Sequence, residues 1–186
     1  MAPKRHRDGR RRPAARQRVY LLCGPSLSGK TSLGTRMVSV LGLRSLSFDE
    51  INAERGLPFG AGGLEHEWAA TLEIALQRLR AYLSAGDSVV VDDTFCYRWL
   101  RDRFCSVARQ LGATPQIVYL EVEPAILRRR YDSFRASGER AVLSPSAFDE
   151  HIRAFEAPSA DEPLIRFSSF EAASEWVHNQ PPSSSS

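Results

Sequence analysis

Residues 24–31 carry the clearest chemistry in the sequence, because they read GPSLSGKT. This stretch fits the phosphate-loop pattern GxxxxGK[ST], which a chain of this composition contains by chance about one time in a thousand. Glycines let backbone N–H groups turn toward phosphate oxygens, the Lys30 ammonium suits the β- and γ-phosphates, and the Thr31 hydroxyl suits Mg²⁺. We predict a nucleotide site made by six residues of this segment and by the serine that follows it: Gly24, Ser26, Ser28, Gly29, Lys30, Thr31 and Ser32.

Two pairs of carboxylates follow apolar segments and could supply metal and acid–base chemistry. Asp92 and Asp93 follow three valines, as a carboxylate that supports Mg²⁺ does. We assign Asp92, with Thr31, to the metal, whereas Asp93 either faces substrate or ends the strand and caps the next helix. Asp49 and Glu50 follow the second apolar segment, where a carboxylate can accept the proton of a hydroxyl group. Neighbours on an extended segment point in opposite directions, so only one of the two should serve; Asp49 could instead cap the following turn.

These residues need elements that bring them together, and the sequence alternates strands with helices. Apolar runs predict five strands, at residues 19–23, 45–48, 89–91, 117–122 and 164–167. Helical spacing predicts helices at residues 31–41, 65–83, 97–111, 124–133, 144–155 and 171–178. This alternation is typical of an α/β three-layer sandwich with a five-stranded parallel sheet covered on both faces. Ligands bind at the carboxyl ends of such strands, so the loop and both carboxylate pairs should meet at one edge.

Composition indicates one soluble domain, since the chain has 186 residues, of which 42% are hydrophobic and 25% charged. We predict a disordered basic arm at residues 1–17, a folded domain at 18–180 and a disordered tail at 181–186. The arm either solubilises the protein or contacts an anionic partner such as nucleic acid. The three cysteines form no CxxC pair, so we expect free thiols. No apolar run is long enough to cross a membrane and no secretory signal is present, so we expect a cytoplasmic protein.

In order and spacing, these motifs resemble the small P-loop kinases related to the kinase domain of phage polynucleotide kinase, chloramphenicol phosphotransferase and the zeta toxins. The shared layout covers roughly residues 18–170. It comprises GPSLSGKT, SFDEI after the second strand, VVVDDTF after the third, and the arginine-rich LRRRYDSFR followed by FEAP. The resemblance implies a P-loop kinase-like fold with a helical lid, ATP as the phosphate donor, and Mg²⁺.

The resemblance also implies roles for individual residues. Asp49 is the base that accepts the hydroxyl proton, and Arg130 and Arg135 are lid arginines that stabilise the transferring phosphoryl group. Because residues 128–130 of a helix fan over about 200°, they cannot all reach one ligand; Arg128 and Arg129 are therefore expected on the solvent-facing side. Arg140 is a further candidate for the lid.

We therefore predict an ATP- and Mg²⁺-dependent kinase that phosphorylates a hydroxyl of a small molecule, either an antibiotic or a metabolite. One alternative acceptor is a polynucleotide 5′-hydroxyl; the basic arm would then bind phosphates of the polynucleotide backbone. The phage enzyme has an arginine three residues after its base, where this chain has Asn52, although Arg55 could substitute. Another alternative is a non-catalytic, ATP-binding regulatory module.

The remaining candidates are peripheral. The loop at residues 56–63, with Phe59, His66 and Trp68, could form a wall of the substrate pocket, although Trp68 also fits the core stripe of its helix. His151 and His178 are expected at the surface. The sequence leaves the oligomeric state open.

Overall fold

The computed structural model describes residues 16–58 and 65–182, and within them it contains a five-stranded sheet and seven helices. The strands are β1 (Arg18–Cys23), β2 (Arg44–Ser47), β3 (Val89–Asp92), β4 (Thr114–Leu120) and β5 (Leu164–Phe167). The helices are α1 (Lys30–Leu41), α2 (Phe48–Glu54), α3 (Glu65–Ser84), α4 (Arg98–Gln110), α5 (Pro124–Ser137), α6 (Pro145–Ala154) and α7 (Phe170–His178). In these described ranges no helix is long and apolar enough to cross a membrane.

The sheet is parallel throughout, with the strand order β2-β3-β1-β4-β5. In the central register, Leu21 of β1 lies between Val91 of β3 and Ile117 of β4. These strands are apolar along their length because both faces are covered, by α3 and α4 on one side and by α1 and α7 on the other. The predicted α/β fold is confirmed.

A third, smaller core holds α5 and α6 together and builds the lid over the phosphate loop. Tyr131 of α5 and Phe148 of α6 stack with ring centroids 4.2 Å apart, and Leu127 completes the buried centre. Leu27, at the tip of the phosphate loop, packs against this cluster. We call α5, α6 and the segment between them the lid.

One helix, α2, was not predicted from the sequence. The apolar pattern placed Phe48 at the end of a strand, whereas β2 ends at Ser47 and Phe48 begins the helix. The Ser47 side chain caps that helix by accepting the N–H of Glu50. Phe48 and Ile51 are buried one turn apart, which anchors α2 against the core.

The two residues of the predicted arm that the structure describes lie on the domain. The Arg16 guanidinium donates to the Gly112 carbonyl at 3.0 Å. The Gln17 amide donates to the carbonyls of Leu83 and Asp87, both at 2.8 Å. The folded part therefore begins before residue 18. Residues 1–15, 59–64 and 183–186 lie outside the described residues, and with them the rest of the arm, most of the tail and Phe59.

Candidate active site

The phosphate loop has the backbone shape that the motif predicts. Gly24 has φ +150°, and a Cβ there would lie 2.8 Å from the Ser28 hydroxyl and 2.9 Å from the Leu120 carbonyl. Gly29 has φ +104° and immediately precedes α1. These two positions therefore need glycine. The N–H groups of the first turn of α1 have no partner within the helix, so they form a positive, anion-binding end.

Lys30 is buried at the start of α1 and is held by the loop. Its ammonium donates to the Pro25 carbonyl at 2.8 Å and to the Ser28 hydroxyl at 3.4 Å. Burial lowers the pKa of Lys30 below its ordinary value, while the nearby Asp92 and Asp93 charges oppose that shift. An anionic phosphate at this ammonium would compensate the buried charge further.

Asp92 ends β3 beside Thr31 of α1. Burial raises the pKa of Asp92, and a hydrogen bond from the Thr31 side chain and the charge of Lys30 lower it in part. A hydroxyl and a carboxylate side by side, next to a phosphate-binding lysine, fit the oxygen donor set that Mg²⁺ takes in nucleotide sites. The structure thus brings together the two residues predicted to hold the metal.

Asp93 has a different function in the local structure. Its carboxylate accepts the Phe95 N–H at 2.9 Å, which closes a tight turn after β3. Phe95 itself has φ +46°, and the neighbouring Thr94 carbonyl accepts the Gly24 N–H at 3.2 Å. Asp93 therefore caps the turn that supports the phosphate loop, and not the next helix as the sequence suggested, because α4 begins only at Arg98 with Tyr97 as its N-cap.

Asp49 lies in the first turn of α2, exposed at a small cavity of about 120 Å³. The cavity is lined by the phosphate loop, α2, the end of β3 and the lid: Ser26, Leu27, Gly29, Lys30, Thr31, Ser32, Phe48, Asp49, Asp92, Asp93, Thr94 and Arg140. Glu50 lines a separate cavity, on the α1 side of Thr31. The two carboxylates thus diverge as expected, although they do so on a helix and not on an extended segment.

The arginines of the lid do not all sit where the family resemblance implied. Arg130 donates to the Leu27 carbonyl of the phosphate loop at 2.8 Å. Arg135 is exposed and is absent from the cavity, whereas Arg140 lines it. Arg130 does not line the cavity either, because its guanidinium is directed at the Leu27 carbonyl. Five residues along α5 correspond to about 140° of rotation, so Arg135 faces a different direction from Arg130. Arg140 is therefore the lid arginine that lines this cavity, and the catalytic roles of Arg130 and Arg135 stay predictions.

Arg128 lies at the surface but is not simply solvated. It forms an ion pair with Asp149 of α6, and its guanidinium lies 5.0 Å from the centre of the Phe148 ring. This residue therefore ties α5 to α6. Arg129 is exposed, as expected.

Two features near the site were missed by the sequence analysis. His151 of α6, expected at the surface, is half-buried, and its Nε2 accepts the Ser26 N–H at 3.0 Å. The Ser26 N–H, predicted as a phosphate donor, is therefore already paired. No local pattern could reveal this contact, because the partners are 125 residues apart. His178 is exposed, as expected.

The second missed feature is a buried ion pair behind the turn of Asp93. Arg101 and Glu162 have side-chain exposures of 1% and 2% and are joined by two hydrogen bonds of 2.7 and 3.0 Å. Arg101 also donates to the carbonyls of Phe95 and Glu156, both at 2.9 Å. The pair thereby connects α4, the turn after β3 and the segment after α6.

The predicted pocket wall beside α3 is described only in part. Trp68 packs on Trp99 with ring centroids 5.4 Å apart and also contacts the core, so its core role is the one observed. Arg55, the proposed substitute for the missing arginine, is held by Glu67 and by the Thr71 hydroxyl. These contacts direct Arg55 toward α3.

A model of the AAA domain family matches residues 19–158. No curated protein sequence matches the chain. Among solved structures, a putative kinase from Chloroflexus aurantiacus J-10-fl is similar at 21% identity and a TM-score of 0.66, over 89% of this chain and 100% of that one. The APS kinase CysC of Mycobacterium tuberculosis, in complex with AMPPNP and APS, has 18% identity and a TM-score of 0.62, over 89% and 97%.

Kti12 of Chaetomium thermophilum, in complex with ADP-AlF3, has 17% identity and a TM-score of 0.68, over 87% of this chain and 95% of that one. These structural similarities show the shared fold. The family model extends from the first strand to the segment after the lid, which is well over half of the chain, and the protein therefore belongs to the AAA domain family AAA_33.

Proposed function

We propose that this protein is a phosphotransferase that moves the γ-phosphoryl group of ATP to a hydroxyl of a small molecule. One observation carries the proposal: Lys30, Thr31, Asp92 and Asp49 line the same cavity at the carboxyl edge of the sheet. A phosphate-binding lysine, a metal-binding pair and an exposed carboxylate are the parts that hydroxyl phosphorylation requires.

The transfer is written as one displacement at phosphorus. The acceptor oxygen forms a bond to the γ-phosphorus, the bond between that phosphorus and the β–γ bridging oxygen breaks, and ADP leaves. Asp49 takes the proton that the acceptor hydroxyl loses. Lys30 and Arg140 place positive charge at the cavity, where negative charge spreads over the transferring oxygens.

The metal and the nucleotide fit residues that are present. The Thr31 hydroxyl and the Asp92 carboxylate would hold Mg²⁺, which neutralises phosphate charge when it is bound. The N–H groups at the start of α1 and Gly29 would bind phosphate oxygens. The structural neighbours in complex with AMPPNP and with ADP-AlF3 support ATP as the donor.

The motifs SFDEI and VVVDDTF support a finer placement among the small P-loop kinases, beside the chloramphenicol phosphotransferases and zeta toxins, and Asn52 in place of the arginine of polynucleotide kinase favours a small acceptor. Arg55 contacts Glu67 and Thr71, so it does not replace the arginine that a polynucleotide kinase carries after its base. This contact weighs against a nucleic-acid 5′-hydroxyl as the acceptor.

The test is a transfer screen with ATP labelled at the γ-phosphate, over hydroxylated antibiotics, sugars, nucleosides and short oligonucleotides. We expect one small-molecule class to become labelled, with labelling abolished by Lys30→Ala and by Asp49→Asn. Asp132→Asn, an exposed carboxylate of α5, is the matched control and should keep full activity. Tight ATP binding without transfer to any acceptor would contradict the proposal and support the regulatory alternative. Full activity of Asp49→Asn would remove the base assignment.

A further inference from the structure

The tip of the phosphate loop is held by side chains at three consecutive residues. The Pro25 carbonyl accepts from Lys30 at 2.8 Å, the Ser26 N–H donates to His151 at 3.0 Å, and the Leu27 carbonyl accepts from Arg130 at 2.8 Å. The first contact is made within the loop, but the other two come from the lid, one from α5 and one from α6.

The side chain of Leu27 adds an apolar contact at the same place. It packs against the small lid core of Leu127, Tyr131 and Phe148. Leu27 has φ +68°, a conformation that costs a residue with a branched side chain more than it costs glycine. Burial against the lid offsets this cost, so the shape of the loop tip and the position of the lid depend on each other.

The contact with Ser26 defines the chemical form of His151. A backbone N–H can only donate, so Nε2 must present a lone pair, and the ring proton of the neutral imidazole must be on Nδ1. Burial, and secondarily the charge of Lys30, lowers the pKa of His151 to about 4. The ring is therefore neutral near pH 7, and it packs edge-on to Phe155 with centroids 6.5 Å apart.

His151 leaves the principal phosphate donors untouched. The N–H groups of the first turn of α1 bind anions, whereas Ser26 lies three residues before Gly29, at the outer tip of the loop. A contact at the tip can hold the lid in place without competing for those donors.

We propose that His151 is a positioning residue that latches the lid to the tip of the phosphate loop, through the Ser26 N–H, and thereby keeps the lid closed over nucleotide. The latch itself stands on the contacts above; its effect on nucleotide rests on the proposed function. Arg130 provides a second attachment through the Leu27 carbonyl, and the Leu27 side chain adds an apolar contact with the lid core. Loss of the imidazole acceptor leaves the Ser26 N–H unpaired and shifts the lid toward opening.

The first test uses the full-length wild-type protein and does not depend on nucleotide. Long-range ¹H–¹⁵N correlation spectra at pH 7 distinguish protonated from unprotonated ring nitrogens. We expect His151 to have its proton on Nδ1 and to remain neutral down to about pH 5. A proton on Nε2, or a ring that is charged at pH 6, overturns the proposal.

The second test compares two substitutions of similar size. Gln can place a carbonyl oxygen where Nε2 lies and thus keeps an acceptor, whereas Leu removes it. With Mg²⁺ and AMPPNP as the probe, we expect His151→Leu to raise the dissociation constant about 3- to 10-fold. His151→Gln should restore most of the wild-type affinity, and His178→Gln, on the exposed end of α7, should change nothing.

The outcomes separate the two proposals. Equal weakening by Gln and Leu in folded variants, or no weakening by Leu, overturns the latch. Failure of the wild-type protein to bind AMPPNP overturns the proposed function, and the ring-nitrogen spectra then decide the latch by themselves. Circular dichroism establishes that each variant is folded.

Discussion

Removal of Arg101 should destabilise the protein more than loss of any exposed ion pair. Four hydrogen bonds of 2.7 to 3.0 Å join its guanidinium to Glu162, Phe95 and Glu156. Burial raises the pKa of Glu162, but the hydrogen bonds from Arg101 and from the Ser159 N–H outweigh it and leave that pKa below its ordinary value. Glu162 is therefore a buried carboxylate that depends on its partner.

The magnitude follows from this dependence. Arg101→Met keeps most of the volume but leaves the Glu162 charge buried without its guanidinium, which costs about 3–5 kcal/mol. A domain of this size has about 5–15 kcal/mol of stability in total. At roughly 2–4 °C per kcal/mol, the midpoint of thermal unfolding should fall by about 6–20 °C.

The assay is thermal and urea unfolding, followed by circular dichroism and by tryptophan fluorescence, for three variants. Arg101→Met combined with Glu162→Leu should recover much of the loss, because neither charge is then left unpaired. Arg98→Met is the control, since Arg98 lies on the same helix and pairs with Asp161 at 2.5 Å but is half-exposed; it should shift the midpoint only slightly. A loss below about 1 kcal/mol for Arg101→Met, or a double variant less stable than the single one, refutes the reasoning.

Three further predictions concern His151, Asp92 and Leu27. The folded-state pKa of His151, about 4, lies below the value of 6.5 for an unperturbed side chain; its neutral form therefore adds stability above pH 6.5 that is lost as pH falls toward 4. Urea unfolding should show that the stability gap between wild type and His151→Leu shrinks by about 1–2 kcal/mol from pH 7 to pH 5. Asp92→Asn should remove the Mg²⁺ dependence of AMPPNP affinity in calorimetric titrations, and an unchanged dependence would place the metal elsewhere. Leu27→Gly removes the apolar contact between the phosphate loop and the lid core. Amide hydrogen exchange in α6 should therefore accelerate, while exchange in β1 stays slow.

The predictable parts of this fold are those whose causes are local. A strand buried on both faces must be apolar, and the phosphate-loop motif requires glycine where its backbone turns, so residues 89–91 and Gly24 could be assigned from the sequence alone. The short helix α2 was missed because Phe48 also suits the last position of an apolar strand, although Ser47 and Glu50, three residues apart, form the pattern of a helix N-terminus.

The contacts that the sequence could not reveal join residues far apart in the chain. Ser26 and His151 are separated by 125 positions, and Arg101 and Glu162 by 61. Each contact forms only because the packed elements direct the two groups toward each other. The spacing of residues along the sequence does not encode that direction. The direction of the Arg135 side chain is likewise not given by its motif position, since this residue is exposed on α5 and does not line the cavity.

Lysine and arginine have different roles at the site. Only two of the 25 basic residues in the sequence are lysines, and Lys30 is the only lysine among the residues that the structure describes. Buried or half-buried arginines such as Arg101 and Arg130 donate to carbonyls and carboxylates, where a planar fork fixes the geometry of a turn or a lid. Lys30 instead holds a compact, flexible ammonium against the Pro25 carbonyl, with a pKa lowered by burial. A bound phosphate would stabilise the buried Lys30 charge most. The Lys30 ammonium can move from the Pro25 carbonyl to the phosphate while the backbone, which the arginines hold, stays in place.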